Sequence, residues 1–173
     1  MSDPRADLHT PRDFDHDHTA TRRGVTVMVA AVGLTTLALV FNVVVEQLLS
    51  GTASIDLGPL ELRLGYNPGI AFGMGSHLPR GVITLATGAI TVAIGVYAVW
   101  STPQNGAIAR TGFTALIAGA AANVLDRAGD GVVTDYFHTG WFATFNLADV
   151  LITGAVILIV ADSLLAGRRQ GRT

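Results

Sequence analysis

From Ala122 to Asp149 the chain reads A-N-V-L-D-R-A-G-D-G-V-V-T-D-Y-F-H-T-G-W-F-A-T-F-N-L-A-D. Four carboxylates (Asp126, Asp130, Asp135, Asp149), Arg127, Asn123 and Asn146 are gathered there, between two apolar runs. An Asp at the centre of a membrane helix costs on the order of 2.5–3.5 kcal/mol on insertion scales. Acids held at the margin of apolar segments therefore mark either a working site or local ion pairs with arginine.

Outward from this stretch the chain is apolar. Of its 173 residues, 50% are hydrophobic and 14% charged, the composition of a small polytopic membrane protein. Apolar runs cover about residues 25–49, 81–100, 111–125 and 147–166. A membrane helix needs about 20 residues, so the short third run must borrow from 107–109 or from the start of the polar stretch. Its Gly119, Ala120, Ala121 and Ala122 suit close helix packing. The first run exceeds the ~7–15 apolar residues of a secretory signal and ends in E-Q-L-L-S, which predicts a retained span. Between the first two runs, Leu60, Leu62, Leu64 and Tyr66 alternate with Glu61, Arg63 and Gly65, the period of a half-exposed strand. Asn67-Pro68-Gly69 is a turn signal. The expected fold is an all-α polytopic membrane protein: four transmembrane helices, with a small extracytoplasmic β-sheet between helices 1 and 2.

The ends are polar. Residues 1–21 lack apolar pattern and predict a disordered tail. In it Asp15, His16, Asp17 and His18 read as incidental histidines in an acidic segment rather than as a metal site. The membrane domain then covers 22–166, and 167–173 form a basic C-terminal tail. All eleven basic residues are Arg. Arg22, Arg23, Arg110, Arg168, Arg169 and Arg172 fall on one side of a four-span topology and only Arg63, Arg80 and Arg127 on the other. That bias predicts cytoplasmic termini, with the sheet and the acid-rich stretch together on the outer face. The absence of cysteine excludes disulfides and thiolate chemistry, and no basic nucleic-acid footprint exists.

Asp135 follows the third span and Asp149 opens the fourth. Sequential helices are commonly neighbours, so the two carboxylates can meet at the outer boundary. Confined together they cannot both ionise easily. One neutral acid and one carboxylate can activate a water and protonate a leaving amide. Spacing alone equally allows Asp149 to be a helix N-terminal acid, with Asn146 as its N-cap, and Asp126, Arg127 and Asp130 to be loop ion pairs.

The motifs resemble lipoprotein signal peptidase (signal peptidase II), a family of four-span membrane aspartic peptidases, over about residues 25–166. Y-N-P-G-I-A-F-G is similar to the family's Asn-x-Gly-x-Ala-Phe element, through Asn67, Gly69, Ala71 and Phe72. A-G-A-A-A-N-V-L-D-R is similar to Gly-x-x-x-Asn-x-x-Asp-Arg, through Asn123, Asp126 and Arg127. G-V-V-T-D-Y and F-N-L-A-D are similar to the elements that carry the two catalytic aspartates, Asp135 and Asp149, the second also supplying Asn146. Glu46 with Ser50 stands where the family has Asp and Lys, with Asn42 and Glu46 as a second register; the loop from Asp135 to Asp149 is short, and Thr144 replaces a common Pro. The resemblance implies Asp135 and Asp149 as catalytic pair, and Asn67, Gly69, Asn123, Arg127, Asn146 and Glu46 as substrate-binding residues. It implies no cofactor and no metal. The implied reaction, in a bacterial cytoplasmic membrane, is removal of signal peptides from diacylglyceryl-modified prolipoproteins on the amino side of the lipidated cysteine. Membrane lipids are the other implied partner. A divergent paralogue with altered or lost activity, a small transporter using acidic residues, and a non-catalytic assembly protein are the competing readings.

Overall fold

The structure is a computed structural model and describes residues 11–69, 77–102 and 105–170, with side chains from 21 to 168. In chain order the elements are α1 (Pro11–Leu49), β1 (Ile55–Asp56), β2 (Glu61–Asn67), α2 (Arg80–Ser101), α3 (Ala107–Asp130), β3 (Val133–His138) and α4 (Leu147–Gln170). All four helices are long and apolar enough to cross a membrane, over Thr21–Leu49, Arg80–Ser101, Ala107–Asp130 and Leu147–Arg168. Hydrocarbon leaves backbone N–H and C=O groups no outside partner, so helices satisfy them internally. The exposed Val, Leu and Ile side chains along α1, α2 and α4 are what such helices present to lipid.

Helix α3 is the centre. The other three helices pack on it, α4 most extensively. Small residues allow this: Ala118 and Ala122 are buried between α3 and its neighbours, in clusters with Val27, Ala31, Ala38, Ala98 and Ala148. The third span is longer than its apolar run. It runs back to Ala107 and forward to Asp130, so Asp126, Arg127 and Asp130 lie on the helix and not in a loop. The helix stops at Gly131, whose φ of 89° is the left-handed cap that glycine adopts without strain. Its N–H donates to the Arg127 carbonyl at 2.8 Å. Arg80, at the start of α2, donates to the Asp130 carbonyl at 3.0 Å.

The small sheet is present, in the order β1-β2-β3 and antiparallel throughout. Its third strand was not foreseen. Val133–His138 is rich in β-branched and aromatic side chains, and its partner β2 lies far off in sequence, with Gly65 opposite Asp135 and Tyr66 opposite Thr134. Tyr136 is fully buried against Val45 and Leu49 of α1, and its hydroxyl accepts the Leu147 N–H at 3.0 Å. This bond ties β3 to the first turn of α4.

Helix α1 starts at Pro11, within the segment 1–21 read as a tail. Proline lacks an N–H that a first turn would leave unpaired, and extending an existing helix avoids the nucleation cost. Residues 1–10, Ala71, Phe72 and the side chains of Asp15, His16, Asp17 and His18 lie outside the described residues.

Candidate active site

Four elements converge on the C-terminal end of α3. Asn146 precedes α4 and forms a reciprocal cap with Asp149: the Asn146 N–H donates to Asp149 Oδ2 at 3.1 Å, and the Asp149 N–H to Asn146 Oδ1 at 3.0 Å. This is a capping-box arrangement built from Asn and Asp. The remaining amide protons of Asn146 do different work. Nδ2 lies 2.9 Å from Asn123 Oδ1, 3.2 Å from the Thr134 carbonyl and 3.2 Å from Asp135 Oδ1. Asn123 in turn donates Nδ2 to Asp149 Oδ1 at 3.0 Å. Two amides thus link the two carboxylates in a chain, Asp135 to Asn146 to Asn123 to Asp149. Asp149 thus caps α4 and is also joined to Asp135 through the two amides.

Asp135, on β3, is buried. Its carboxyl is pushed up to about 7, first by burial and then by the Asp149 carboxylate, against a lowering hydrogen bond from Asn67. Arg127 is buried as well. Its Nη2 donates to the Gly69 carbonyl, and among the described residues its Nε has no hydrogen-bond partner. Gly69 is positioned by Asn67, whose Oδ1 accepts the Gly69 N–H at 2.9 Å in an Asx turn.

Asn67, Asn123, Arg127, Asp135 and Asp149 line one cavity of about 570 Å³. Its other walls are mostly apolar, with Ile90 and Ile94 of α2, Val124 of α3, Ile152 of α4, and Phe142 and Phe145 of the loop after β3, interspersed with threonines such as Thr87 and Thr91. A site of this kind holds an apolar substrate against a few convergent polar groups. Among the described residues no three His, Cys, Asp or Glu side chains are placed to hold a metal ion.

Of the residues expected at the site, Asn67, Asn123, Arg127, Asp135 and Asp149 face the cavity, Asn146 lies beneath the pair, and Gly69 meets Arg127 through its carbonyl. Glu46 does not line the cavity; its Oε1 lies 3.4 Å from the Thr134 hydroxyl, which donates to it. Sequence reading assigned no role to Thr134, nor to the aliphatic wall from α2. A signal existed for the polar face of α1. Asn42 and Glu46 are four residues apart on an otherwise apolar helix, which puts them on one face, and polar groups in a span rarely lack a partner.

Replacing Asn146 tests the bridge. Asn146→Ala loses the cap, worth about 1 kcal/mol, and removes one of the two amide hydrogen bonds to Asp135, leaving that from Asn67. Peptidase activity is expected to fall far more than the melting temperature. Asn146→Asp restores the cap but sets a third carboxylate beside the pair, so it should be no more active than alanine. Activity and thermal melts of the two purified variants, side by side, check this; an active Asn146→Asp would show that the amide donor is dispensable.

The chain matches known proteins over most of its length. Residues 25–165 match the family model described as signal peptidase (SPase) II. The chain is 44% identical over 132 residues to a lipoprotein signal peptidase of Mesorhizobium japonicum, a match covering 73% of this chain and 77% of that protein. It is 41% identical over 121 residues to one of Brucella ovis, covering 67% and 75%. A solved bacterial membrane enzyme structure at 2.3 Å superposes with a TM-score of 0.65 at 26% identity, over 82% of this chain and 88% of that one. Another at 1.9 Å gives 0.62 at 26% identity, over 79% and 90%. A family model spanning most of the chain, relatives above two-fifths identical and four spanning helices lead to one conclusion: this multi-pass bacterial membrane protein belongs to the signal peptidase II family of peptidases.

Proposed function

We propose that the chain is an aspartic endopeptidase that removes signal peptides from diacylglyceryl-modified prolipoproteins, cleaving on the amino side of the lipidated cysteine. The observation that carries the reading is the amide-linked pair Asp135 and Asp149 at the polar end of an apolar cavity. Asp135 holds the shared proton, in keeping with its upward shift. Asp149 takes a proton from water, the resulting hydroxide adds to the scissile carbonyl carbon, and Asp135 protonates the carbonyl oxygen. When the C–N bond breaks, the proton on Asp149 goes to the leaving nitrogen and one hydroxyl of the gem-diol returns its proton to Asp135 as the new carboxyl group forms. Asn123 and Asn146 keep the carboxylates oriented, while Asn67 and Arg127 meet the peptide beside them. The aliphatic wall from α2 and α4 receives acyl or signal-peptide side chains.

The arginine distribution supports cytoplasmic termini and a site near the extracytoplasmic face, where a secreted precursor arrives. The polar tail and the basic C-terminus take no part in the reaction. The test is incubation of the purified protein with a lipidated peptide bearing the cleavage motif, with the product located by mass spectrometry. Cleavage before the modified cysteine is expected, and intact substrate after incubation with folded protein would overturn the proposal. The rate should fall as pH rises through about 7, because Asp135 then loses the proton it must donate. A rate still climbing at pH 9 would contradict the proton assignment.

A further inference from the structure

Thr134 stands immediately before Asp135, and a different helix or helix cap holds each of its polar groups. Its N–H donates to Asp126 Oδ2 of α3 at 2.7 Å. Its carbonyl accepts from Asn146 Nδ2, at the cap of α4, at 3.2 Å. Its hydroxyl reaches Glu46 of α1 at 3.4 Å. Asn42 of α1 donates to the same Asp126 oxygen at 3.4 Å. The bond to Asp126 is the shortest of the four. Arg127, the neighbour that a loop ion pair would have joined to Asp126, gives its Nη2 to the Gly69 carbonyl.

The Thr134 N–H lies in the rigid peptide plane that joins Val133 to Thr134, and the Thr134 carbonyl lies in the next plane, which carries Asp135; adjacent strand residues point to opposite faces. With the N–H held by Asp126 and the carbonyl by Asn146, both planes are fixed, and with them the position from which Asp135 enters the cavity. We infer that Asp126 is a positioning residue for the carboxylate pair, acting through the backbone amide of Thr134, with Asn42 steadying its carboxyl from α1. The inference rests on the reading of Asp135 and Asp149 as the reacting pair. Asp126 touches neither substrate nor reacting atoms in this role.

The test compares wild type, Asp126→Ala and Asp126→Asn as full-length protein in lipid vesicles. It measures kcat and KM on the lipidated peptide, the pH profile, and hydrogen exchange at the Thr134 amide. Asp126→Ala should lower kcat about 100-fold, the scale of a 1 Å misplacement, with KM little changed and Thr134 exchange faster. Asp126→Asn keeps an acceptor oxygen and should recover most of kcat and of the protection. The groups acting on Asp135 are Asp149 of α4, Asp126 and Arg127 of α3, and Asn67 of β2. Removing the Asp126 charge should shift the upper limb of the pH profile downward in both variants, since a nearby negative charge holds a carboxyl proton on. Normal kcat with unchanged Thr134 exchange in Asp126→Ala overturns the inference. So does a loss that merely tracks the amount of folded protein with an unmoved pH limb. If wild type itself fails to cleave, the peptidase reading falls, while exchange at Thr134 still decides what Asp126 holds.

Discussion

Asp135→Asn and Asp149→Asn are each expected to lower cleavage of a lipidated peptide by at least about 10⁴-fold, with the double variant scarcely worse than either single one, because residues acting as a unit fail together. Asparagine keeps the size of the side chain and, at 135, the oxygen that accepts from Asn146. What it removes is the carboxyl proton on which the proposed mechanism depends. Stability should move differently. In wild type the Asp135 carboxyl holds its proton to about 7, against 3.8 for the unperturbed group. A raised carboxyl binds more protons folded than unfolded between those values, so wild type loses stability as pH rises from about 4 to 7. Asp135→Asn lacks that group and should melt later than wild type at pH 8, with a smaller gap at pH 4. Asp149→Asn gives up a carboxylate from the α4 cap and should melt earlier. Asp130→Asn serves as a control: Asp130 is exposed and its carboxylate accepts the local Val132 N–H at 3.1 Å, so activity should barely change. Near-normal cleavage by folded Asp135→Asn would remove Asp135 from the reaction and leave Asp126 as the next acid to test with Asp149.

The parts that sequence alone reveals are those governed by local physics. Hydrocarbon demands long apolar helices, and the four spans follow from composition. The alternation around Leu60, Leu62 and Leu64 shows a strand because strand period is local. The end of α3 was misjudged because its last turn carries Asp126, Arg127 and Asp130, which look like loop residues until their partners are known. Those partners are the Thr134 amide, the Gly69 carbonyl and Arg80. All but the Thr134 amide are remote in sequence. Strand β3 was hidden for the same reason, since it is a strand by virtue of β2. Glu46 could be placed on a helix face but not against Thr134, which lies 88 positions away. At the site itself the aspartates were legible as motifs. Spacing could not show that Asn146 both caps α4 and bridges to Asp135.

The close approach of α3 and α4 sets the second large effect. A Cβ at Gly119 would lie 2.5 Å from the Ala148 carbonyl oxygen, 2.9 Å from Ile152 Cγ1 and 3.2 Å from Leu151 Cβ. The first of these is backbone and cannot rotate away, so Gly119→Ala must push the start of α4 off α3. That start carries Asp149. Asn123 sits one turn further along the same face of α3 as Gly119 and bonds Asp149 directly, so the displacement opens the amide link between the carboxylates. Overpacking of this kind costs about 1–3 kcal/mol, and a shift near 1 Å at a catalytic group costs about 100-fold in rate. Gly119→Ala should therefore fold with a lowered melting temperature and lose about 100-fold in cleavage, and Gly119→Leu should fail to accumulate folded protein. Gly154→Ala, on α4 with nothing within 4 Å of the added carbon, should behave as wild type. Melting curves and peptide cleavage on the three variants decide the matter. A Gly119→Ala enzyme with normal rate and stability would mean that α4 can move outward without carrying Asp149 away from Asn123, and the contact at Ala148 would then have no part in placing the pair.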